Sequence, residues 1–598
     1  MEQIKETWTM MTKRADFNGI SARFGISPII ARLVRNRDQI TDDQIRVYLY
    51  GTLQDIPAPG LLKDVQKAAE IIREKIRQKK KIRIISDYDV DGVSSNYILM
   101  KGLIRCGAQV DYKIPDRIQD GYGINIHLVR QAYEDQVDTI ITCDNGISAM
   151  EQVEYGNSLG MTTIITDHHD VPFQMEGGRK KELLPPAAAI VNPKQKDCPY
   201  PFKKICGAVV AWKFIQVLYE TCGIDPAETE EFLEIAALAT NCDVMPLVEE
   251  NRIIVREGLR RMADTKITGL RALIEANKLD GRPLSVYHLG FILGPCINSS
   301  GRLSSAKYAL DLLLSQDEAR CARLASHLVS LNAERKDITE KGVRDGIAYL
   351  LENGYDKDDI HVVYLPGLHE SLCGIVAGRI RERFHHPAFV LSDGLEGIKG
   401  SGRSIDTYSM YEEMSKIKEC FASFGGHPGA AGFTLKDRCL EEFREKINEH
   451  STLTEEDFAV KVKGDMLLPL SQVSEQLLGE LHLLEPFGLG NSRPLFLARD
   501  LKIRSFRILG KNRNVVKLFV TDSSGYGMTA MYFDGPDLFL DKLEQGIGED
   551  QAKALQQGLR HNVFLSRAAF QVDMNEYMGR REAQMILKHF EFREAKRN

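Results

Sequence analysis

Between Lys79 and about Pro246, short runs rich in β-branched residues alternate with segments of helical period. The runs Ile82 to Ile85, Val110 to Ile114, Thr139 to Thr142, Thr162 to Thr166 and Ala187 to Val191 predict strands. Val93 to Leu103, Ala208 to Tyr219 and Glu230 to Ala239 predict helices. This rhythm predicts a doubly wound parallel-sheet α/β domain over residues 79–258, with ligands outside the carboxyl ends of its strands. Residues 1–78 are polar and mainly helical, broken at Pro57, Pro59 and Gly60, and read as an N-terminal extension packed on the catalytic domain. Residues 259–353 are helical, and Gln316 to Leu351 keeps helical spacing without a proline, which predicts one long connector helix. A second α/β stretch, 354–450, starts at His361 to Leu365 and contains glycine-rich turns at Gly400 to Gly402 and Gly425 to Gly432. Past a polar linker around Glu455, residues 459–598 hold short alternating strands, such as Val515 to Val520 and Thr529 to Phe533, that predict a small β-barrel. A helical patch at Glu549 to Leu559 interrupts it.

Composition narrows the class without changing this plan. A chain of 598 residues exceeds one hydrophobic core and divides into roughly three or four domains. The 78 basic and 84 acidic residues give a formal charge of 78 − 84 = −6, which excludes a non-specific DNA coat and confines any nucleic-acid contact to a local basic track. The 11 cysteines form no CxxC pair, as expected of reduced thiols rather than a disulfide framework or zinc ribbon. Met1 to Phe17 has no apolar stretch of signal-peptide length, and no run of 18 apolar residues occurs, so a soluble, cytoplasmic protein with no membrane association is expected.

The candidate chemistry lies directly after three of the predicted strands. Asp87-Tyr88-Asp89-Val90-Asp91-Gly92, Asp144-Asn145-Gly146 and Asp167-His168-His169 deliver carboxylates and imidazoles to one crevice. Carboxylates so crowded repel one another and take up protons unless cations sit among them. The first cluster resembles half of a calcium loop, but its twelfth position is Ile98 instead of the closing glutamate. A mixed carboxylate and imidazole set suits manganese, with magnesium or cobalt as alternatives, and two such ions support phosphoester hydrolysis. Neither a GxSxG elbow nor a Walker loop accompanies the clusters.

Taken in order, these clusters resemble the DHH phosphoesterase superfamily, and within it the bacterial exonucleases that degrade single-stranded DNA. The resemblance covers nearly the whole chain. It runs through Ile114 to Arg117 with Gly121-Tyr122-Gly123, Val191-Asn192-Pro193, Ala239 to Leu247 and Gly294 to Leu303. It continues through His369, Gly400 to Ser404, Gly425 to Gly432, Glu485 to Asn491 and Asn575 to Tyr577. It implies a DHH catalytic domain, a DHHA1-like second domain and an OB-like C-terminal barrel. It also implies metal ligation by Asp89, Asp91, Asp144, His168 and Asp243, with Asp144 bridging, and catalytic roles for Asp87 and His169. Substrate phosphate would be held by Arg302, His369, Ser401, Arg403 and His427, while Arg117 and Tyr122 either pack or line the DNA path. Cys296 stands where the family usually carries an arginine, and Asn241-Cys242 where a small apolar pair is usual.

The function so implied is two-metal, manganese-dependent 5′-to-3′ removal of mononucleotides from single-stranded DNA in repair and recombination. A single-strand-binding protein and a helicase are the expected partners, and a monomer is the simplest assembly. An oligoribonuclease or nucleotide phosphatase of the same superfamily needs no barrel, and a non-catalytic replication scaffold needs no ligands; here the barrel is expected and every ligand position is filled.

Overall fold

The computed structural model describes residues 5–594 apart from 118, 119, 122, 396, 511, 512, 560, 561 and 578. The chain divides into two units, Thr52–Phe458 and a second that joins the segment ending at Gly51 to the chain from Ala459 onward.

The first unit is built on a five-stranded parallel sheet in the order Gln109–Lys113, Lys81–Ser86, Thr139–Cys143, Thr162–Thr166, Ala189–Val191. The strand order reverses between Lys81–Ser86 and Thr139–Cys143, the switch point where α/β sheets open a crevice. Register places Ser86 opposite Cys143, Cys143 opposite Thr166, and Thr166 opposite Val191, so the loops that follow leave the sheet at one level. Both faces are covered. Ile82, Ile84, Ile141 and Ile164 join one apolar core, and Ile85, Ile140, Ile165 and Ile190 join another. This accounts for strands that read as continuous apolar runs.

The predicted connector is a single 36-residue helix, Glu318–Asn353, about 54 Å long at 1.5 Å per residue. Asp317 caps its start and Gly354, at φ 73°, its end. Cys321, Ala325, Leu328 and Leu331 pack into the catalytic core, whereas Gly342 and Gly346 lie against Leu368, Val376, Ile380 and Val363 of the second lobe. One rigid element thus carries both lobes. The second lobe has the sheet order Phe421–His427, Ala430–Leu435, Gly397–Arg403, Ala388–Gly394, His361–Tyr364, antiparallel except for the last pair. Here the glycine-rich segments differ from expectation, because Gly400 to Gly402 lie within a strand and Gly425 to Gly432 within a hairpin. The missing side chains make room for rings. A Cβ at Gly400 would stand 2.2 Å from Phe433, and one at Gly402 would stand 2.6 Å from Phe389.

The second unit is a β-barrel in which Phe496–Leu509, Val515–Thr521, Gly527–Tyr532, Arg580–Glu594 and Val563–Tyr577 pair in sequence, and Phe496–Leu509 pairs back to Val563–Tyr577 to close it. The N-terminal extension does not pack as one piece on the catalytic domain. Glu6–Met10 pairs in parallel with Val460–Gly464, and the helices Phe17–Phe24, Pro28–Asn36 and Asp42–Tyr50 bury Ile20, Leu33 and Leu49 in the barrel core. Asn491 is the hub. Its Oδ1 accepts from Arg37 Nε at 3.0 Å and Tyr48 Oη at 2.8 Å, while its Nδ2 donates to the Leu484 and Pro486 carbonyls. Only the part from Thr52 belongs with the catalytic domain, where the helix Val65–Arg77 buries Val65, Ala68 and Ile72. Helical period reports that an amphipathic face must be buried but not against which partner, so a boundary at Gly51 left no local mark.

Candidate metal centre and phosphate cleft

Asp89 caps the helix Val90–Arg105, its Oδ1 accepting from the N–H groups of Asp91 and Gly92 at 2.9 and 3.0 Å. Gly92 is obligatory, because a Cβ there would lie 2.3 Å from the Asp87 carbonyl oxygen. Asp91 accepts from the N–H groups of Gly207 and Ala208 at 2.6 and 2.8 Å, so the positive end of the helix Gly207–Cys222 faces a carboxylate. That helix reaches the site because residue 207 lacks a side chain. A Cβ would stand 2.9 Å from Asp144 Cβ and 3.1 Å from Asp91 Oδ2.

Asp144 adopts φ 59°, an uncommon conformation for a residue other than glycine, and Gly146 follows at φ 109°. Asn145 secures the turn by donating to the Ile85 and Cys143 carbonyls at 3.1 and 2.9 Å and accepting from Ile124 N–H at 3.2 Å. Asp167 is completely buried and accepts from the N–H groups of Ile147, His168 and His169 and from His169 Nδ1 at 2.8 Å. Burial pushes its carboxyl up, but the His169 hydrogen bond and both imidazoles outweigh that and hold it at about 2. Burial pulls His169 down, and the Asp167 partner lifts it to about 9.

His168 Nε2 lies 3.1 Å from Asp144, 3.5 Å from Asp91 and 3.6 Å from Asp243. Three overlapping donor groups result, namely Asp87, Asp89 and Asp144; Asp91, His168 and Asp243; and Asp144, His168 and His169, each with ligand atoms within 4.8 Å of one another. Asp144 and His168 each belong to two of them. Burial, then the neighbouring carboxylates, pushes Asp144 well above the usual carboxylate range, Asp87 likewise, and Asp243 to about 9. Asp87 Oδ1, Asp243 Oδ2 and His168 Nδ1 are buried without a hydrogen-bond partner. Buried donors that repel one another and lack partners fit divalent cations of the kind that accept both oxygen and imidazole.

A cavity of about 340 Å³ opens beside this centre, lined by Tyr88, Arg117, Glu370, Ser371, Lys399 and Ser401 together with strands of the second lobe. The Arg117 guanidinium lies 4.9 Å from the centroid of the Tyr88 ring. Arg302 donates to the Ser371 carbonyl at 2.7 Å, and His369 Nδ1 accepts from Ser371 Oγ at 2.8 Å. Burial, then Arg117 and Arg335, pulls Arg302 down to about 10, and burial with Arg381 and Arg117 lowers Arg403. Cations that repel one another in this way call for an anion between them. Ser401 and Arg403 lie two apart on one strand and so share a face. The Arg403 guanidinium crosses the start of the helix Cys373–Phe384, 2.7 Å from where a Gly374 Cβ would be. His427 is exposed at the hairpin end, its Nδ1 accepting from Gly429 N–H at 3.2 Å; of the expected phosphate-binding residues only Ser401 lines the cavity, and Arg302, His369, Arg403 and His427 do not. Tyr122 lies outside the described residues. Cys296 is buried beside Asn277 and Asn332.

The sequence assigned Asp167, Gly207 and Asn298 no individual role. Asp167 had a signal, since it opens its cluster directly after a strand. Asn298, whose Oδ1 accepts from Val90 N–H across 208 residues of sequence, had only its place in the family motif Gly294 to Leu303. Gly207→Val should keep the fold yet weaken manganese affinity roughly 10- to 100-fold, the usual cost of disturbing groups that orient metal ligands. Isothermal titration of both proteins with Mn²⁺ measures it; unchanged affinity would mean that the contact of this helix with Asp91 and Asp144 is incidental.

The sheet, the donor groups and the second lobe together define a DHH protein. The DHH family N-terminal domain matches residues 81–240, the DHHA1 domain residues 357–451 and the RecJ OB domain residues 464–589. The chain is 34% identical over 589 residues to the single-stranded-DNA-specific exonuclease RecJ of Bacillus subtilis, covering 98% of this chain and 70% of that one. It is 30% identical to the exonuclease of the same name from Escherichia coli, over 94% of this chain and 95% of that one. Thermus thermophilus RecJ, solved in complex with Mn²⁺, superposes with a TM-score of 0.80 at 27% identity, covering 99% of this chain and 80% of that chain. The chain belongs to the RecJ family.

Proposed function

We propose that this chain is a metal-dependent exonuclease that degrades single-stranded DNA from the 5′ end to 5′ mononucleotides. The observation that carries this reading is the presence, in one unit, of three overlapping donor groups and a cavity lined by Tyr88 of the first acidic cluster, Arg117, Lys399 and Ser401. Asp89, Asp91, Asp144, His168 and Asp243 would hold two divalent cations, manganese first among them, with Asp144, a member of two of the donor groups, as a ligand that both could use. Cations there supply Lewis acidity and water of lowered pKa for phosphodiester hydrolysis. Asp87 stands beside them as a positioning carboxylate. Asp167 fixes His169 by its Nδ1, which leaves Nε2 as the ring atom able to move a proton.

Ser401, Arg403, Arg302 and His369 hold the 5′-terminal phosphate, with His427 meeting a phosphate farther out. A planar guanidinium beside a hydroxyl suits that anion. The barrel and the filled ligand set count against a nucleotide phosphatase and a scaffold. A single-strand-binding protein and a helicase, which expose the substrate, are the partners we assign, and the chain acts in the cytoplasm as a monomer.

Single strands labelled at the 5′ end and incubated with Mn²⁺ should release labelled mononucleotide first. A 5′-hydroxyl end should be poorer, and Arg403→Ala should raise KM for the phosphorylated strand roughly 10- to 100-fold while erasing that preference, since a charged hydrogen bond contributes about 1.5–3 kcal/mol. Release from the 3′ end would refute the polarity.

A further inference from the structure

Resting on the reading as a single-strand nuclease, we infer that Tyr287 and Phe291 form a stacking platform for the bases on the 3′ side of the cleaved bond. The two rings stack with centroids 5.2 Å apart and planes 19° from parallel, yet 59% of Tyr287 and 63% of Phe291 remain exposed. Large side chains left in water as an ordered, parallel pair present a flat face that suits a nucleobase, and such stacking is indifferent to sequence.

Their place in the fold ties them to the metal centre. Both sit at the short helix Val286–His288 and the π-helical turn Leu289–Leu293, a local geometry frequent at functional sites. This segment is fastened to the turn that carries Asp243. Asn241 Nδ2 donates to the Val286 carbonyl at 3.1 Å, Cys242 Sγ donates to the Leu289 carbonyl at 3.4 Å, and Gly294 abuts Cys242 so closely that a Cβ would stand 2.3 Å from Sγ. Val244, directly after Asp243, adds a further exposed apolar surface.

The helix that follows, Gly294–Leu303, sets the polarity. It is 10 residues long, about 15 Å. Midway it meets the first acidic loop through Asn298 Oδ1 and Val90 N–H, and near its end Gly301 packs on the Tyr88 carbonyl. In its last turn Arg302 donates to the carbonyl of Ser371, a residue that lines the cavity. The aromatic pair and the phosphate-holding cations therefore occupy opposite ends of one wall, with the donor groups alongside it. A strand whose 5′ phosphate lies at Arg302 runs its 3′ continuation toward Tyr287 and Phe291. Without a sequence-indifferent grip at that end, a strand shortened by one nucleotide would be free to leave.

The test uses the full chain and 5′-phosphorylated oligodeoxythymidylates carrying 2-aminopurine at successive positions. In EDTA, the wild-type protein should quench the probe at a position within a few nucleotides of the 5′ end, and Y287L/F291L should not. In Mn²⁺ the variant should show KM raised roughly 10- to 100-fold with kcat little changed. An oligonucleotide whose interior bases are replaced by abasic sites should be cleaved equally by both proteins, and Tyr287→Phe should retain wild-type behaviour. An equal loss on the abasic strand would show a structural defect and overturn the platform. So would quenching that survives in Y287L/F291L. Quenching without release of any mononucleotide by the wild type would instead overturn the nuclease reading and leave the platform standing.

Discussion

Asp144→Ala should abolish release of mononucleotides, lowering kcat at least about 10³-fold, and no concentration of Mn²⁺ should restore it. Asp144 belongs to two of the three donor groups, lies against Gly207 and stands 3.1 Å from His168 Nε2, so on the proposed two-cation reading its loss removes a donor that both groups share. The fold should not suffer. In the metal-free protein the Asp144 carboxyl is pushed up by burial and then by Asp91, Asp89 and Asp87, so deleting it removes a repulsion. The metal-free variant should thus melt no lower than the wild type. Saturating Mn²⁺ should raise the wild-type melting temperature, by the mass-action stabilisation of about 2.7 kcal/mol at a hundredfold excess over Kd, and leave the variant unmoved. Calorimetry with and without EDTA, beside the rate assay, separates the outcomes. A variant that loses activity and still gains full stability from Mn²⁺ would mean that Asp144 is not a ligand.

The centre was legible where chemistry and local structure coincide. Asp87 to Asp91, Asp144 and His168 sit at the ends of β-branched runs, and the parallel sheet brings them together at the switch point. Asp243 had no such strand before it; it follows the helix Leu233–Cys242 and was found through the family motif. The glycines misled in the second lobe, because a residue without a side chain serves a packed ring as well as a turn. Gly400 and Gly402 face Phe433 and Phe389, aromatic partners that no local window connects to them. The N-terminal helices were legible as helices but not in their docking. Their anchor, Asn491, lies 454 residues from Arg37, and only the folded chain shows that the motif around it holds a second segment.

Glu250→Ala should destabilise the catalytic unit by about 3–5 kcal/mol, the usual cost of stranding one member of a buried ion pair. Glu250 Oε2 accepts from Lys213 Nζ at 2.9 Å, and its carboxylate accepts from Tyr200 Oη at 2.7 and 2.8 Å. The side chains of both ions are essentially sealed from water, and Lys213 Nζ has the Pro57 carbonyl as a further acceptor at 3.2 Å. Burial pulls the Lys213 pKa down even with its partner present, so removing Glu250 leaves an ammonium that must deprotonate or open the core. The two tryptophans make this measurable, since Trp8 belongs to the barrel unit and Trp212 to the catalytic unit. In a Trp8→Phe background, urea unfolding followed by Trp212 fluorescence reports the catalytic unit, and E250L/K213M should recover most of the loss because an apolar pair restrands no charge. The effect should also reach the metal centre. Lys213 lies six residues into the helix from Gly207, whose N–H and that of Ala208 hold Asp91, so loosening that helix at Lys213 withdraws two donors from a carboxylate of the proposed metal site. Glu250→Ala should therefore weaken Mn²⁺ binding below its own unfolding transition, and E250L/K213M should restore it; a stability loss under about 1 kcal/mol would mean that Lys213 is already neutral in the folded protein.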